Sequence, residues 1–379
     1  MSWKTVKLED ICVSISDGDH QAPPKVNKGI PFITISNIDN LNKIDFSNVM
    51  YVPDNYYDGL DTKRKPQKND ILYSVVGTFG KPVYIDNDDK FVFQRHIAIL
   101  RPNLEKIVPK FLYHIMLSRE FYAQADTLAI GAAQRTISLT ALRKMKVDIP
   151  SLEMQNKITS ILAKYDDLIA NNNKRIKILE QMAENLYKEW FVRFRFPGYE
   201  TAEFVDGVPK GWEYQKLKSL LEIFYGKDHK KIADGDIPIF GSGGIMRYGN
   251  KSLHDGEVIL IPRKGTLNNI MYYSGKVWTV DTMFYAVSQI PNTAKYIYYT
   301  LNNFDMESYN SGAALPSMTT AILYNLKILL PDEKTLEKYD SFVGKLFEEK
   351  ECLEKQNQNL IKQRDYLLPR LMSGKVQVK

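Results

Sequence analysis

Cysteine is nearly missing from this 379-residue chain: Cys12 and Cys352 are the two copies, at opposite ends of the sequence. That spacing excludes a disulfide framework and any paired-cysteine zinc site. Two reduced thiols in a cytoplasmic protein are the expectation. Long apolar runs are also missing. No stretch reaches the roughly 18 residues that a membrane-spanning helix needs, and the opening MSWKTVKLED has no apolar signal core.

The signatures of common chemistry are absent as well. There is no Asn-Pro-Pro-aromatic motif of the kind that grips a target amino group for methylation, and no glycine fingerprint follows a strand. GSGG at 241–244 lacks the third spaced glycine, and GTFGK at 77–81 is too short for a phosphate loop, with Pro82 where Ser or Thr should bind Mg²⁺. The five histidines (His20, His96, His114, His229, His254) show no metal spacing and no partner nucleophile. Glu348-Glu349-Lys350 carries a nuclease-like Glu-x-Lys but no partner Asp strand, and reads as a solvated helix face. The chain is expected not to be an enzyme by itself, and to hold no metal.

What is present is an ordinary globular composition, 44% hydrophobic and 25% charged, with a formal charge of +6. The charge is spread thinly. Residues 1–150 hold 20 basic and 17 acidic residues, and residues 197–331 hold 13 of each. Binding to a polyanion would have to use patches, since no segment is a basic tail.

The chain is written twice. WKTVKLEDI at 3–11 answers WEYQKLKSL at 212–220, each with Trp five residues before Leu. IPFI at 30–33 answers IPIF at 237–240, and DILYSVVGTFG at 70–80 answers EVILIPRKGTL at 257–267. GAAQRTIS at 131–138 answers GAALPSMT at 312–319, and KVDIP at 146–150 answers KILLP at 327–331. From Gly131 to Leu186 the offset is a constant 181 residues. A repeat this long excludes solenoids and propellers and indicates tandem duplication of a domain with the helix that follows it.

Each copy opens on a Trp-led short helix and a polar loop, Ser14–Pro24 in the first and Tyr225–Ile232 in the second. Short runs rich in Val, Ile, Tyr and Phe follow, bounded by turn residues. They are Phe32–Ile35, Ile71–Val76, Pro82–Ile85, Phe91–Phe93 and Ile97–Leu100, then Ile237–Phe240, Val258–Pro262, Ile270–Tyr273, Val277–Val280 and Phe284–Val287. A helix over Val108–Ala125 has Ala294–Leu301 as its counterpart. The expected class is α+β, with a small curved sheet and helices in each copy.

Beyond Pro150 and Pro331 a long helical pattern begins. A seven-residue repeat runs through Ile158, Tyr165, Asn172, Leu179 and Leu186, and again through Tyr339, Leu346, Leu353, Leu360 and Leu367. The interleaved positions are read as Ile161, Leu168, Arg175 and Met182 in the first helix, and Phe342, Glu349, Gln356 and Gln363 in the second. Helices of about 40 residues are ~60 Å long, more than such small sheets can cover. They are expected to pack on each other as antiparallel coiled-coil helices related by a pseudo-two-fold axis, with the globular domains at opposite ends and the polar Asn172, which interrupts the apolar seam, fixing register. The division is thus 1–150 (first globular domain), 151–196 (central helix), 197–331 (second globular domain) and 332–379 (C-terminal helix).

Four loops in each copy pair flexible residues with hydrogen-bonding side chains. In the first copy they offer Ser16, Asp17, His20 and Gln21; Thr78 and Lys81; Gln94, Arg95 and His96; Gln134, Arg135 and Thr136. In the second they offer Lys227, Lys230 and Lys231; Arg263, Lys264, Thr266 and Asn268; Thr282; Ser317 and Thr319. Arg, Lys, Asn and Gln suit base edges, while Ser, Thr and Lys suit phosphates. A shared framework with different loop residues points to two readers of different ligands.

The Trp-led openings (Trp3, Trp212), DILYSVVGTFG at 70–80, the Gly-Ala-Ala element before each helix, IKILEQMAENLYKEWFVRF at 176–194 and LLPRLMSGKV at 367–376 resemble the specificity subunit of type I restriction–modification systems over the whole chain. The resemblance implies two target recognition domains, each reading one half of a bipartite, gapped double-stranded DNA sequence. It implies that the helices set the spacing and dock two modification (methyltransferase) subunits that carry S-adenosylmethionine. Two restriction subunits, an ATP-dependent translocase and nuclease needing ATP and Mg, can join them. The chain itself would then need no cofactor. A coiled-coil scaffold that never touches DNA is the other reading the helices allow, but it leaves the paired polar loops unexplained.

Overall fold

The computed structural model describes residues 3–20, 23–39, 42–77, 79–131, 135–310 and 316–372. The chain forms two units, Met1–Asn171 with Gln356–Lys379, and Asn172–Lys355. Each long helix is therefore divided between the units. Each unit comprises one globular domain, part of the helix that follows it, and part of the helix that belongs to the other copy.

In the first unit, β1 (Lys4–Lys7) leads into the one-turn α1 (Leu8–Ile11) and then β2 (Cys12–Asp17). β3 (Ile30–Ile33), β4 (Met50–Val52), α2 (Asp54–Asp58), β5 (Ile71–Ser74), β6 (Pro82–Tyr84), β7 (Val92–Phe93) and β8 (Ile97–Pro102) follow. The main sheet has the order β2-β8-β5-β6, and β4-β3-β7 forms a second, smaller one. Alternate residues of β5 and β8 point to opposite cores. Ile71, Tyr73, Ala98 and Leu100 face the helices, and Leu72, Ile97 and Ile99 face the smaller sheet. The helical layer is α3 (Pro109–Leu117), α4 (Arg119–Leu128) and α5 (Leu139–Lys144), and β9 (Lys146–Ile149) returns to pair with β1. The helix α6 (Leu152–Tyr187) then begins and ends in a π-helical turn over Lys188–Val192.

The second unit repeats this plan. A small hairpin, β10 (Phe204–Val205) and β11 (Val208–Pro209), precedes β12 (Glu213–Lys216) and β13 (Leu221–Tyr225). β14 (Ile237–Gly241), β15 (Gly244–Gly249), β16 (His254–Pro262), β17 (Met271–Thr279) and β18 (Met283–Ser288) form one sheet with β13, in the order β13-β18-β16-β17-β14-β15. α7 (Ala294–Asn302), α8 (Thr320–Asn325) and β19 (Lys327–Leu330) precede the 40-residue α9 (Glu333–Met372). The correspondence extends to single bonds. Phe32 and Ile33 pair in parallel with Val92 and Phe93, as Ile239 and Phe240 do with Trp278 and Thr279. The Leu8 amide donates to Met145 O at 3.0 Å, as Leu217 does to Leu326 O at 2.8 Å.

Several local expectations are corrected. The loop expected from Ser14 is strand through Asp17, because the residues pair with β8. The two runs expected at Ile270–Tyr273 and Val277–Val280 are one strand, β17, paired with β16 along Met271–Val277 and with β14 at Trp278 and Thr279. The helix expected over Val108–Ala125 is two helices, since Ser118 leaves the helical conformation and its hydroxyl caps α4 by accepting from the Phe121 amide. The Trp residues lead into strands rather than directly into helices.

The long helices run antiparallel where they pack. In the second unit Arg175 meets Glu349 at 2.5 Å, and Trp190, further along, meets Tyr339 at 5.8 Å between ring centroids. In the first unit Ile158 and Leu162 share a core with Leu368 and Leu371. All ten positions of the seven-residue repeat are buried or half-buried. The interleaved positions are not the expected ones. Leu168, Arg175, Met182, Phe342, Glu349, Gln356 and Gln363 are exposed, and Ile161 is only half-buried. The buried column lies one residue further on, at Leu162, Ile169 and Ala183 in α6, at Trp190 just past it, and at Val343 and Asn357 in α9. A coiled-coil seam alternates steps of three and four, and from this repeat the forward step is four.

Candidate nucleic-acid interface

Four loops of the first unit meet at one end of the main sheet, tied by backbone hydrogen bonds. The Gly18 amide donates to Ile97 O and the Asp19 amide to Phe93 O. Val75 donates to His96 O, Ile137 to Val75 O, and Gly77 to Arg135 O. The second unit uses the same scheme. Gly226 donates to Met283 O, Lys227 to Thr279 O, Arg263 to Thr282 O, Met318 to Arg263 O, and Gly265 to Pro316 O. Each sheet end is thus a fixed frame carrying four variable tips.

Glycine is required where the first tip crosses the sheet. A Cβ on Gly18 would stand 2.2 Å from Phe93 O, and one on Gly226 would stand 2.0 Å from Val280 O.

In the first unit Asp17 holds His20 at 2.6 Å and Arg64 at 3.6 Å, while the Ser16 hydroxyl donates to Lys63 O. Arg95 is exposed at the tip of the turn between Gln94 and Ile97, with His96 beside it. Lys81 lies at the edge of the same end, its Nζ 3.5 Å from Asp39 O. Arg135 spans Phe79, whose ring stacks on Tyr122 with 11° between planes, and it pairs with Asp126 at 3.1 Å. Thr136 bridges Val76 and Ile130. Gln21, Thr78 and Gln134 lie outside the described residues.

In the second unit Lys227, Lys230, Lys231, Lys264 and Thr266 are exposed. Arg263 lies over the exposed Tyr225 ring at 5.4 Å, and the carbonyl of Thr282 anchors its loop. Three of the expected residues are committed to their own fold. Asn268 accepts from the Met306 amide at 2.7 Å and donates to Asp305, Thr319 caps α8, and Ser317 pairs with Lys264 across a bridge. The Asp228 carboxylate sits below its usual range because the Lys230 amide bonds it.

Sequence reading missed the aromatic floors, Tyr122 and Tyr225, and missed Arg247, which reaches His229 and Asp234 at 3.2 Å each. The interleaving of Arg with Tyr and Phe near these loops was the available signal. Rigid tips carrying Arg, Lys and Gln beside aromatic faces suit the edges and backbone of a nucleic acid. Among the described residues no cluster of His, Cys, Asp and Glu could hold a metal ion.

The family model for the type I restriction modification DNA specificity domain matches residues 1–181 and again 209–363. The chain belongs to this specificity family. The two matches fall on the two copies, each taking in a globular domain and part of the helix after it. Among relatives, the HindI specificity subunit of Haemophilus influenzae is 24% identical, covering 99% of both chains. The MjaIX specificity subunit of Methanocaldococcus jannaschii is 26% identical over 72% of this chain and 70% of its own. The crystal structure of a type I restriction–modification S subunit from M. genitalium shares the fold, with a TM-score of 0.53, 16% identity, and coverage of 98% of this chain and 96% of that one. At that identity the likeness speaks for fold alone. The two copies read from the sequence coincide with the two matches of the family model.

Proposed function

We propose that this chain is the non-catalytic, sequence-specific DNA-binding subunit of a type I restriction–modification complex, in which each globular domain reads one half of a bipartite, gapped double-stranded target. The observation that carries this reading is the pair of sheet ends with one hydrogen-bond scheme and different tips: Arg95 and Arg135 on one, Arg263, Lys264 and the Lys227–Lys231 loop on the other. The twofold family match over those same domains supports it.

The reading assigns base-edge contacts to the tip arginines and Gln94, and phosphate contacts to the lysines, Ser16 and Thr266. The two long helices set the distance between the readers and dock two modification subunits. Adenine methylation with S-adenosylmethionine belongs to those subunits, and ATP- and Mg-dependent translocation and cleavage to restriction subunits that join them. With a charge of only +6, this chain supplies the choice of sequence more than the affinity. No helix among the described residues is long and apolar enough to cross a membrane.

Filter binding of the chain with its modification subunit, over a salt series, tests the reading. Retention of one DNA sequence over its competitors at raised salt supports it. Binding that never distinguishes sequences, or no binding, contradicts it and leaves the scaffold reading.

A further inference from the structure

The two units differ at one matched place on the long helices. In the first unit Arg364 fills it. Arg364 pairs with Asp166 and with Asp365, each at 2.9 Å, and His114 meets Asp166 from the other side at 2.8 Å. Subtracting the constant offset of 181 maps Arg364 to Ala183 and Asp365 to Glu184, and adding it maps Asp166 to Phe347. The helix alignment of α3 with α7 maps His114 to Tyr299. The surroundings are shared: Tyr84 meets Tyr113 at 6.0 Å, as Tyr272 meets Tyr298 at 6.0 Å.

Loss of the arginine leaves a cavity. The second unit has a pocket of about 460 Å³ over Ala183, entirely within that unit. Tyr187, Tyr298, Tyr299 and Phe347 wall it, with ring centroids 4.8 to 6.3 Å apart where Tyr299 meets each of the others. Two carboxylates reach it. Glu180 is neutralised by Lys350 at 2.6 Å, a lysine that also lines the pocket. Glu184 keeps one of the two acids that hold the arginine in the first unit, and its partner Lys188 reaches it at 2.5 Å without lining the pocket. Aromatic faces with a carboxylate at the rim favour a cation over an anion or a bare apolar chain.

We infer that this pocket receives an arginine side chain of the modification subunit, taking from the partner the guanidinium that the first unit supplies itself. The contact is specific to the second unit, because Arg364 closes the matched place on the first. The inference rests on the docking role proposed above for the helices.

Affinity of the purified modification subunit for the full-length chain, read by calorimetry, tests it with three versions of the chain. Ala183→Arg fills the pocket from within, and Glu184→Gln removes the charge at an exposed position. The expected result is at least tenfold weaker binding for Ala183→Arg and several-fold weaker binding for Glu184→Gln, with melting temperatures near that of the unaltered chain. Unchanged affinity in both variants overturns the pocket contact alone. A weakened Ala183→Arg with an unweakened Glu184→Gln means an uncharged occupant and also overturns it. If Ala183→Arg does not fold, Glu184→Gln decides. No binding by the unaltered chain rejects the docking role and the pocket contact together.

Discussion

Arg135 shows how a residue proposed to read bases is held. Its guanidinium lies over the Phe79 ring and is tethered by both the carboxylate and the carbonyl of Asp126 in α4, so little freedom remains to be lost when it meets a base. Arg135→Ala is expected to weaken binding to the cognate site about 5- to 150-fold, in line with the ~1–3 kcal/mol of a well-placed base contact. Competition against sites altered in one half checks it, and the loss should be confined to the half that the first domain reads. Gly18 and Gly226 were visible as loop residues, but their reason was not, since the carbonyls that crowd them come from residues more than 50 positions away. Gly18→Ala should cost about 1–3 kcal/mol in urea unfolding, through forced backbone movement. Asp166 carries a pH signature. Burial pushes its carboxyl up, but the bonds and charges of His114 and Arg364 outweigh burial and hold it below the ordinary 3.8. A depressed carboxylate adds stability above its unfolded value, and that contribution fades as pH falls through the folded value. Asp166→Asn should therefore lower stability at neutral pH and flatten the acid limb of a stability–pH curve. An unchanged slope would assign acid unfolding to other groups.

At the scale of elements, most strands were legible because Val, Ile, Tyr and Phe cluster where both faces are covered, as in Ile71–Ser74 and Ile97–Leu100. What failed was local competition. Ser118 sits in an otherwise helical pattern, and its capping bond splits α3 from α4, a break that an N-cap Ser with the acidic Glu120 in the following turn could have signalled. The coiled-coil register failed for a different reason. One buried column was clear, but Leu168, Met182 and Phe342 on the exposed side are as apolar as Leu162, while the buried side holds Asn357 and the half-buried Arg364. Polar residues kept inside by ion pairs and hydrogen bonds mask the period. The seam is tested by two substitutions in one helix. Leu162→Ala should cost about 2–5 kcal/mol by leaving a cavity, whereas Leu168→Ala should cost well under 1. Equal costs in thermal unfolding would restore the register read from the sequence.

For the whole molecule, duplication was the most legible feature, because a constant offset over more than fifty residues has no local explanation. What the sequence did not reveal is that the compact units cut across the copies. One boundary falls between Asn171 and Asn172, inside α6, and the other between Lys355 and Gln356, inside α9. On the proposed reading, the length of the helices sets the gap in the target. Inserting four residues at Asn171–Asn173 should alter the gap in the target and leave both half-sites intact, and exchanging residues 197–331 for those of another family member should change one half-site alone. The candidate contacts were less legible than the plan. Arg95 and Arg135 are exposed at the sheet end, whereas Asn268 and Thr319, equally polar in sequence, are bonded to the Met306 amide and the start of α8. The most direct test is single-molecule methylome sequencing of a host expressing this chain with its modification subunit. The account predicts one new adenine-methylated motif made of two defined halves separated by unread base pairs. A continuous motif, or no new methylation with both subunits assembled, would contradict it.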